Sequence, residues 1–347
     1  MIPKRQLGKD GPVVGSIGLG CMSFAGAYGG APEADCFAIL DRCAELGVTL
    51  MDTANIYGNG RSEEILGKWL KANPVHPFVV STKAGIVTGE PRGTNNSAVY
   101  LRECLLGSLK RLNLERVELF YIHRREAARP IAEIMETLVG FIHEGLIGGI
   151  GFSEIAPATL EEAVAIHPVR AVQSEYSLWT RQPELGMIEA CRRNGVAFVP
   201  FSPLARGAIG DADLNVAALP QTDFRLSNPR FQPPHWEKNR AALARFREFA
   251  ASKSYSAAAL AIAWSMRGVG GSGDFIIPIP GTAKLKHLEQ DVAAASINLS
   301  AADVAEIEAV LPAGFAAGSR YAPSQWHSVE EYKIGRASCR ERVLMPV

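Results

Sequence analysis

Along most of this chain, short apolar runs alternate with stretches whose apolar residues recur every three or four positions. The runs at 16–21, 49–52, 78–83, 119–123, 149–153, 171–175, 197–201 and 275–280 are rich in Val, Ile, Leu and Phe and predict eight strands. Between them, 32–46, 62–72, 97–112, 131–144, 158–166 and 183–193 have helical spacing. In the fourth of these, Ile131, Ile134, Leu138, Phe141 and Ile142 fall on one face, a stripe suited to packing on a sheet. Gly47, Gly145 and Gly195 follow helical stretches, where a left-handed residue ends a helix before the next strand. Eight such units joined by short connections predict an α/β protein, a (β/α)8 TIM barrel, as one domain over residues 1–332. The regularity breaks twice. A Pro-, Asn- and Asp-containing segment, 208–234, follows the seventh strand and leads into an extra helix at 236–252; a connection that long suggests a lid. A further helix at 300–311 follows the eighth unit.

Composition removes function classes more than it suggests any. Lys+Arg and Asp+Glu both number 36, so no overall field favours nucleic acid or an anionic membrane. The start, MIPKRQLGKDGP, is polar, and no run is long and apolar enough to span a bilayer. The six cysteines form no CxxC pair, which fits free thiols in the cytoplasm. His76, His143, His167, His235 and His327 have no ligand spacing such as HExxH, so no metal is expected. The expected partner is a small molecule, with the chain a monomer or weak homo-oligomer. Residues 333–347 stand apart: KIGRASCRERV back-translates without interruption into a common sequencing-adapter read, and the whole segment reads as a non-native tail.

Four ionisable residues stand at or just past the ends of three successive predicted strands: Asp52 and Tyr57, Lys83, and His123. Parallel strands deliver such residues to one face of the barrel, where catalysis on this architecture resides. A phenol ordinarily titrates near 10. A neighbouring ammonium lowers that value, and a carboxylate keeps the ammonium charged and positioned. With a histidine to orient a carbonyl, the set suits reduction of C=O: hydride from one side and a proton from the tyrosine. No GxGxxG follows the first strand, which disfavours a Rossmann fold. Anion sites are offered by FSPLARG, with Arg206, after the seventh strand and by IPIPGTAKLK, with Lys284 and Lys286, after the eighth.

DTANIYG, STKAG, FYIHR, GIGFSE, QSEYSLWTR, FVPFSPLARG, NPRFQ and IPIPGT, in this order and spacing, resemble an aldo-keto reductase. The likeness is nearest to the bacterial and plant NADPH-dependent branch that reduces aldehydes such as pyridoxal, and it runs from about Arg5 to Tyr321. It implies a catalytic tetrad of Asp52, Tyr57 as proton donor, Lys83 and His123. It implies NADPH as cofactor, NADH being a second option, with backbone contacts from Cys21 and Met22. Ser153 and Gln173 are then expected at the carboxamide and Phe201 stacked on the nicotinamide. Ser202, Pro203, Leu204 and Gly207 are expected along the pyrophosphate, and Gly281, Thr282, Lys284, His287, Gln290 and Asp291 around the adenosine phosphate. Phe24, Tyr28, Ile56 and Trp179 are candidates for the substrate pocket. The chain departs from the family pattern at Phe201, where tyrosine is more usual, and at Glu154 and Asp291, where asparagine is common. His287 and Ala283 replace frequent basic or aromatic residues, leaving Lys284 as the main cation for a 2′-phosphate. The implied activity is reduction of aldehydes or ketones to alcohols. The alternative is a slow cofactor-sensing subunit resembling the β-subunits of potassium channels.

Overall fold

The computed structural model describes residues 1–334, 337 and 338, apart from 27, 30, 89–92, 269–270, 272, 324–328 and 331. Its centre is a parallel sheet of β3 (Leu19–Gly20), β4 (Leu50–Asp52), β5 (Val79–Ala84), β8 (Leu119–Ile122), β9 (Ile150–Ser153), β10 (Ala171–Glu175) and β11 (Ala197–Phe201), in that spatial order. These are seven of the eight expected strands. The eighth, at 275–280, closes the barrel without becoming a regular strand. Ile276 and Ile279 make isolated parallel bridges to Phe198 and Phe201. Pro278 and Pro280 have no N–H to give, but their carbonyls accept from Gly18 (2.9 Å) and Gly20 (3.0 Å), which joins the last segment to the first strand. The closed (β/α)8 architecture is therefore present, with half a ladder at its seam.

Helices α1 (Glu33–Leu46), α2 (Arg61–Ala72), α3 (Ala98–Leu112), α4 (Ile131–His143), α5 (Pro157–Val164) and α6 (Met187–Asn194) cover the outside where spacing placed them. Gly47 and Gly195 end α1 and α6 at φ 82° and 64°, the left-handed stops expected of them. The α4 stripe is buried at Ile131, Ile134, Leu138 and Phe141. The extra helices are α7 (His235–Ser252) after β11 and α10 (Ala301–Val310) after the closing segment. Two further helices, α8 (Ala257–Met266) and α9 (Leu285–Ala293), complete the ring.

The polar-looking start forms an antiparallel hairpin, β1 (Lys4–Gln6) with β2 (Val13–Gly15). Its Leu7 and Val14 pack with Leu50, Leu119, Tyr121, Ala171, Ala197 and Val199, residues of the barrel strands. A second hairpin, β6 (Ile86–Val87) with β7 (Gly93–Thr94), rises beyond β5. In the tail, Lys333–Ile334 and Ala337–Ser338 pair antiparallel, and the rest of 335–347 lies outside the described residues.

One close approach locks the wall beside the site. Gly67 in α2 lies against the backbone of Arg111 at the end of α3, so an added Cβ meets the Arg111 carbonyl oxygen. Backbone cannot yield as a side-chain tip can. Gly67→Ala is therefore expected to destabilise the fold by about 1–3 kcal/mol, as overpacking does, read as a lower urea midpoint with an unchanged slope.

Candidate active site

Asp52 ends β4, Lys83 lies near the end of β5, and His123 directly follows β8. The parallel register sets Asp52 opposite Ser81, and Lys83 opposite Tyr121. Lys83 has no exposed surface. Its Nζ pairs with Asp52 Oδ1 and donates to the Thr53 carbonyl at 2.8 Å. The other Asp52 oxygen accepts from Ser81 Oγ and from Gln173 Nε2, both at 2.9 Å. Burial opposes the lysine's charge, but Asp52 above all reverses that, and the ammonium is held more firmly than usual.

Tyr57 reaches the same place from the loop after β4, through a turn in which its N–H donates to Ala54 (3.1 Å). Lys83 Nζ is 5.1 Å from the Tyr57 ring centre. The His123 and Tyr57 rings meet edge to face at 5.8 Å. Lys83 does pull the phenol's pKa down as expected, but it does not set the net direction. Burial raises it, Lys83 offsets only part of that, and the net shift is upward from 10. Burial, then the charges of Arg124 and Lys83, hold the His123 imidazole neutral, well below its usual range. Its Nδ1 is buried with no partner among the described residues. The four residues expected to converge are therefore together, as a protonated phenol beside a buried ion pair and a neutral imidazole.

The cofactor-side candidates line the same barrel end. Ser153 ends β9 and accepts from Arg124 Nη1 (3.0 Å), which leaves its own O–H free to donate. Gln173, its amide nitrogen on Asp52, keeps a carbonyl oxygen. Phe201 is half-buried at the end of β11, and Ser202 beyond it turns left-handed at φ 49°. The Cys21 carbonyl accepts from Ser62 Oγ (2.8 Å), and the buried Cys21 thiol is pushed well up by desolvation. Ser23 Oγ donates to the Thr282 carbonyl (3.0 Å), tying the first strand's end to the last loop. Among the described residues there is no grouping of three or more His, Cys, Asp or Glu able to hold a metal.

The aldo/keto reductase family model matches residues 16–312. The chain belongs to the aldo/keto reductase family. It is 38% identical over 319 residues to a Glycine max protein named as an aldo-keto reductase, covering 91% of each chain. It is 36% identical over 329 residues to an NADP(+) aldo-keto reductase of Schizosaccharomyces pombe, covering 93% of this chain and 95% of that one. Among solved structures, a glycerol dehydrogenase of Gluconobacter oxydans is similar at a TM-score of 0.76 and 25% identity, covering 93% and 97%. A Bacillus halodurans aldo-keto reductase shares the fold at a TM-score of 0.73 and 24% identity, covering 92% of this chain and 99% of that one. The protein is thus an oxidoreductase of the class that reduces carbonyls with a nicotinamide cofactor.

Other expected site residues in the reductase are placed differently from one another. Tyr28 packs edge-on against Phe224 (5.1 Å) under the Arg225 guanidinium (5.0 Å), and burial pushes its hydroxyl up to about 12. Phe24 is fully buried. Trp179 packs with Phe231 (5.4 Å) and under Arg230 (5.3 Å). Ile56 lines a cleft of about 330 Å³ with Asn55, Tyr100 and Cys104, whose lining includes none of Asp52, Tyr57, Lys83 or His123. Arg206 is not free for a phosphate. It is buried and pairs with Glu175 at 3.0 Å. The N–H groups of Ala205 and Gly207 are likewise spent within the turn, on Ser202 and Leu204.

A second charged layer went unread in the sequence. Glu154 follows β9 and Glu175 ends β10, both buried. Arg320, from the segment after α10, bridges them: Nη2 pairs with Glu154 and Nε donates to Glu175 at 2.9 Å. Tyr321 follows, its ring between the Arg206 and Arg320 guanidinium groups at 4.9 and 4.8 Å. Burial resists ionisation of Glu175, but Arg206, Arg320 and Arg230 together bring it down to about 2. The available signal was an acid after each of two successive strands, which demands buried cations from elsewhere.

Two outcomes follow. Arg320→Met strands Glu154 without its cation and is expected to cost about 3–5 kcal/mol, as loss of one partner of a buried pair does, measured by urea denaturation. The pH profile of stability should carry His123. Below about 6.5 the unfolded imidazole takes a proton that the folded one refuses, so stability falls with falling pH. One such group contributes a limiting slope of about 1.4 kcal/mol per pH unit. His123→Gln should flatten the profile between pH 6.5 and 5 by up to that share.

Proposed function

We propose that the protein reduces aldehydes or ketones to alcohols with NADPH, and that Tyr57 supplies the proton. The observation that carries this reading is the Tyr57 phenol set beside the Lys83–Asp52 pair and a neutral His123. When bound, the nicotinamide supplies the hydride. Tyr57 holds its proton at neutral pH, as a phenol does, because the attraction of Lys83 does not overcome burial, and Lys83 stabilises the phenolate left after transfer. Asp52 keeps Lys83 charged. His123, neutral and with an unpartnered Nδ1, orients the carbonyl.

The polar groups fit the proposed cofactor. A primary carboxamide offers an acceptor oxygen and a donor NH2 group, and Ser153 and Gln173 are left as one donor and one acceptor. Phe201 needs only its ring face to stack. Cys21 and Met22 would contact it through backbone, and Ser202, Pro203, Leu204 and Gly207 would border the pyrophosphate. Around the adenosine phosphate, Gly281 and Lys284 are exposed at the approach to α9, with Lys286 and His287 beside them. Thr282 Oγ1 caps the Lys284 N–H (3.0 Å). Gln290 is already held by Asp211 on the loop beyond β11 (2.5 Å). Burial first, and Asp211 second, push the Asp291 carboxyl well above its ordinary range. Lys284 and Lys286 then favour NADPH over NADH. No observation favours the alternative of a slow sensor resembling potassium-channel β-subunits. The described cysteines are unpaired, and no described helix is long and apolar enough to cross a membrane.

Tyr57→Phe is expected to lower kcat for benzaldehyde by about 10²–10⁴-fold while NADPH still quenches tryptophan fluorescence with a similar Kd. A loss under about tenfold would remove Tyr57 from the proton step.

A further inference from the structure

Arg124 follows His123 and is 9% exposed. Its Nη1 donates to the His123 carbonyl at 2.7 Å and to Ser153 Oγ at 3.0 Å, and Nη2 reaches the Tyr321 hydroxyl at 3.4 Å. All three acceptors are neutral. The buried cations around it are differently supplied. Lys83 has Asp52, Arg225 has Asp223, Arg206 has Glu175, and Arg320 has both Glu154 and Glu175. Among the described residues, Arg124 has no carboxylate partner. A guanidinium kept out of water without a counter-ion is costly unless something supplies the anion.

The hydrogen-bond inventory says where that anion fits. A guanidinium carries five N–H groups. Both hydrogens of Nη1 are spent, and one of Nη2 is committed only through a long contact. Nε–H and the remaining Nη2–H have no acceptor among the described residues. Nε and Nη2 form one edge of the guanidinium plane, and such an edge takes a carboxylate through two parallel hydrogen bonds. The location suits a substrate. Arg124 adjoins His123 in the chain, its charge is felt at Tyr57, and Tyr321 bounds its far side.

We propose that Arg124 is a specificity-determining residue that binds a carboxylate on the substrate, so that the preferred substrates are oxo acids, aldehydes or ketones bearing a carboxylate beside the reacting carbonyl's own framework. This rests on the reductase reading above. Arg124 adds to it a reason for one class of carbonyl to be bound in preference to another. A purely structural Arg124, fastening Ser153 and Tyr321, predicts no discrimination by substrate charge.

The test is steady-state kinetics of the full chain with NADPH on para-carboxybenzaldehyde and on para-formylbenzamide, which has a similar shape without the charge. The expected result is a kcat/KM ratio of about tenfold or more in favour of the carboxylate, carried mainly by KM. In Arg124→Met the ratio should fall to near one, and Arg124→Lys should restore part of it. Because the readout is a ratio, a general loss from a loosened Ser153 does not affect it. A ratio near one in the unaltered protein, or an unchanged ratio in Arg124→Met, overturns the proposal and leaves the reductase reading standing. Absence of turnover on both aldehydes overturns the reductase reading and this proposal with it.

Discussion

An ammonium with no exposed surface cannot remain charged unless the fold surrounds it with acceptors. Lys83 has two, the Asp52 carboxylate and the Thr53 carbonyl, and two further strands hold that carboxylate in place. Asp52 ends β4 and takes the charge, Thr53 gives a carbonyl, and Ser81 and Gln173 hold the second Asp52 oxygen so that the carboxylate cannot swing away. This works in only one register. Asp52 lies opposite Ser81, and a slip of one residue between β4 and β5 turns Lys83 to the other face of the sheet. Barrel register and site chemistry are therefore one constraint. Solvation of the pair has been replaced by fixed dipoles, which need no rearrangement when charge develops nearby.

The same strands carry the second layer outward. Residues 173 and 175 of β10 point to one face, being two apart. Gln173 serves the inner pair, while Glu175 receives Arg206 and Arg320. Arg124 links the layers, with one nitrogen on Ser153 and the other toward Tyr321. The segment after α10 is thus fastened to the site by charge as well as by apolar contact. Glu154 has a local reason here: it takes Arg320 and also accepts the Glu175 N–H at 2.8 Å.

Seven of the eight strands were legible because each is a short apolar run bounded by polar residues. The eighth was legible as a run but not as an interrupted one, since Pro278 and Pro280 act through carbonyls that pattern alone does not assign. Helix α8 escaped for the opposite reason. All ten of its residues are buried, so AAALAIAWSM has no polar face to set a period. The hairpin at the start was hidden by its exposed Lys4 and Gln6, and only Leu7 and Val14 betray its role. The four central residues were readable because each sits within a few positions of a strand end. Arg320 was not, since its partners lie 145 and 166 residues away and only folding brings them near.

The shift at Tyr57 was misjudged because a sequence names the neighbours of a group but not its burial. Two opposed effects act on the phenol, and the structure decides between them: desolvation outweighs the attraction of Lys83. The outcome suits a proton donor better than the expected one did. A phenol brought down toward neutrality would spend much of its time as phenolate, with no proton to give. One raised by burial keeps its proton until negative charge appears on the carbonyl oxygen in front of it. Lys83 then counts for most after the transfer, when the phenolate is the group that needs stabilising. Under the proposed mechanism the reverse reaction needs that phenolate first. Burial therefore makes the oxidation rate, not the equilibrium, depend on pH, and it should climb as the solution turns alkaline and the phenolate becomes populated.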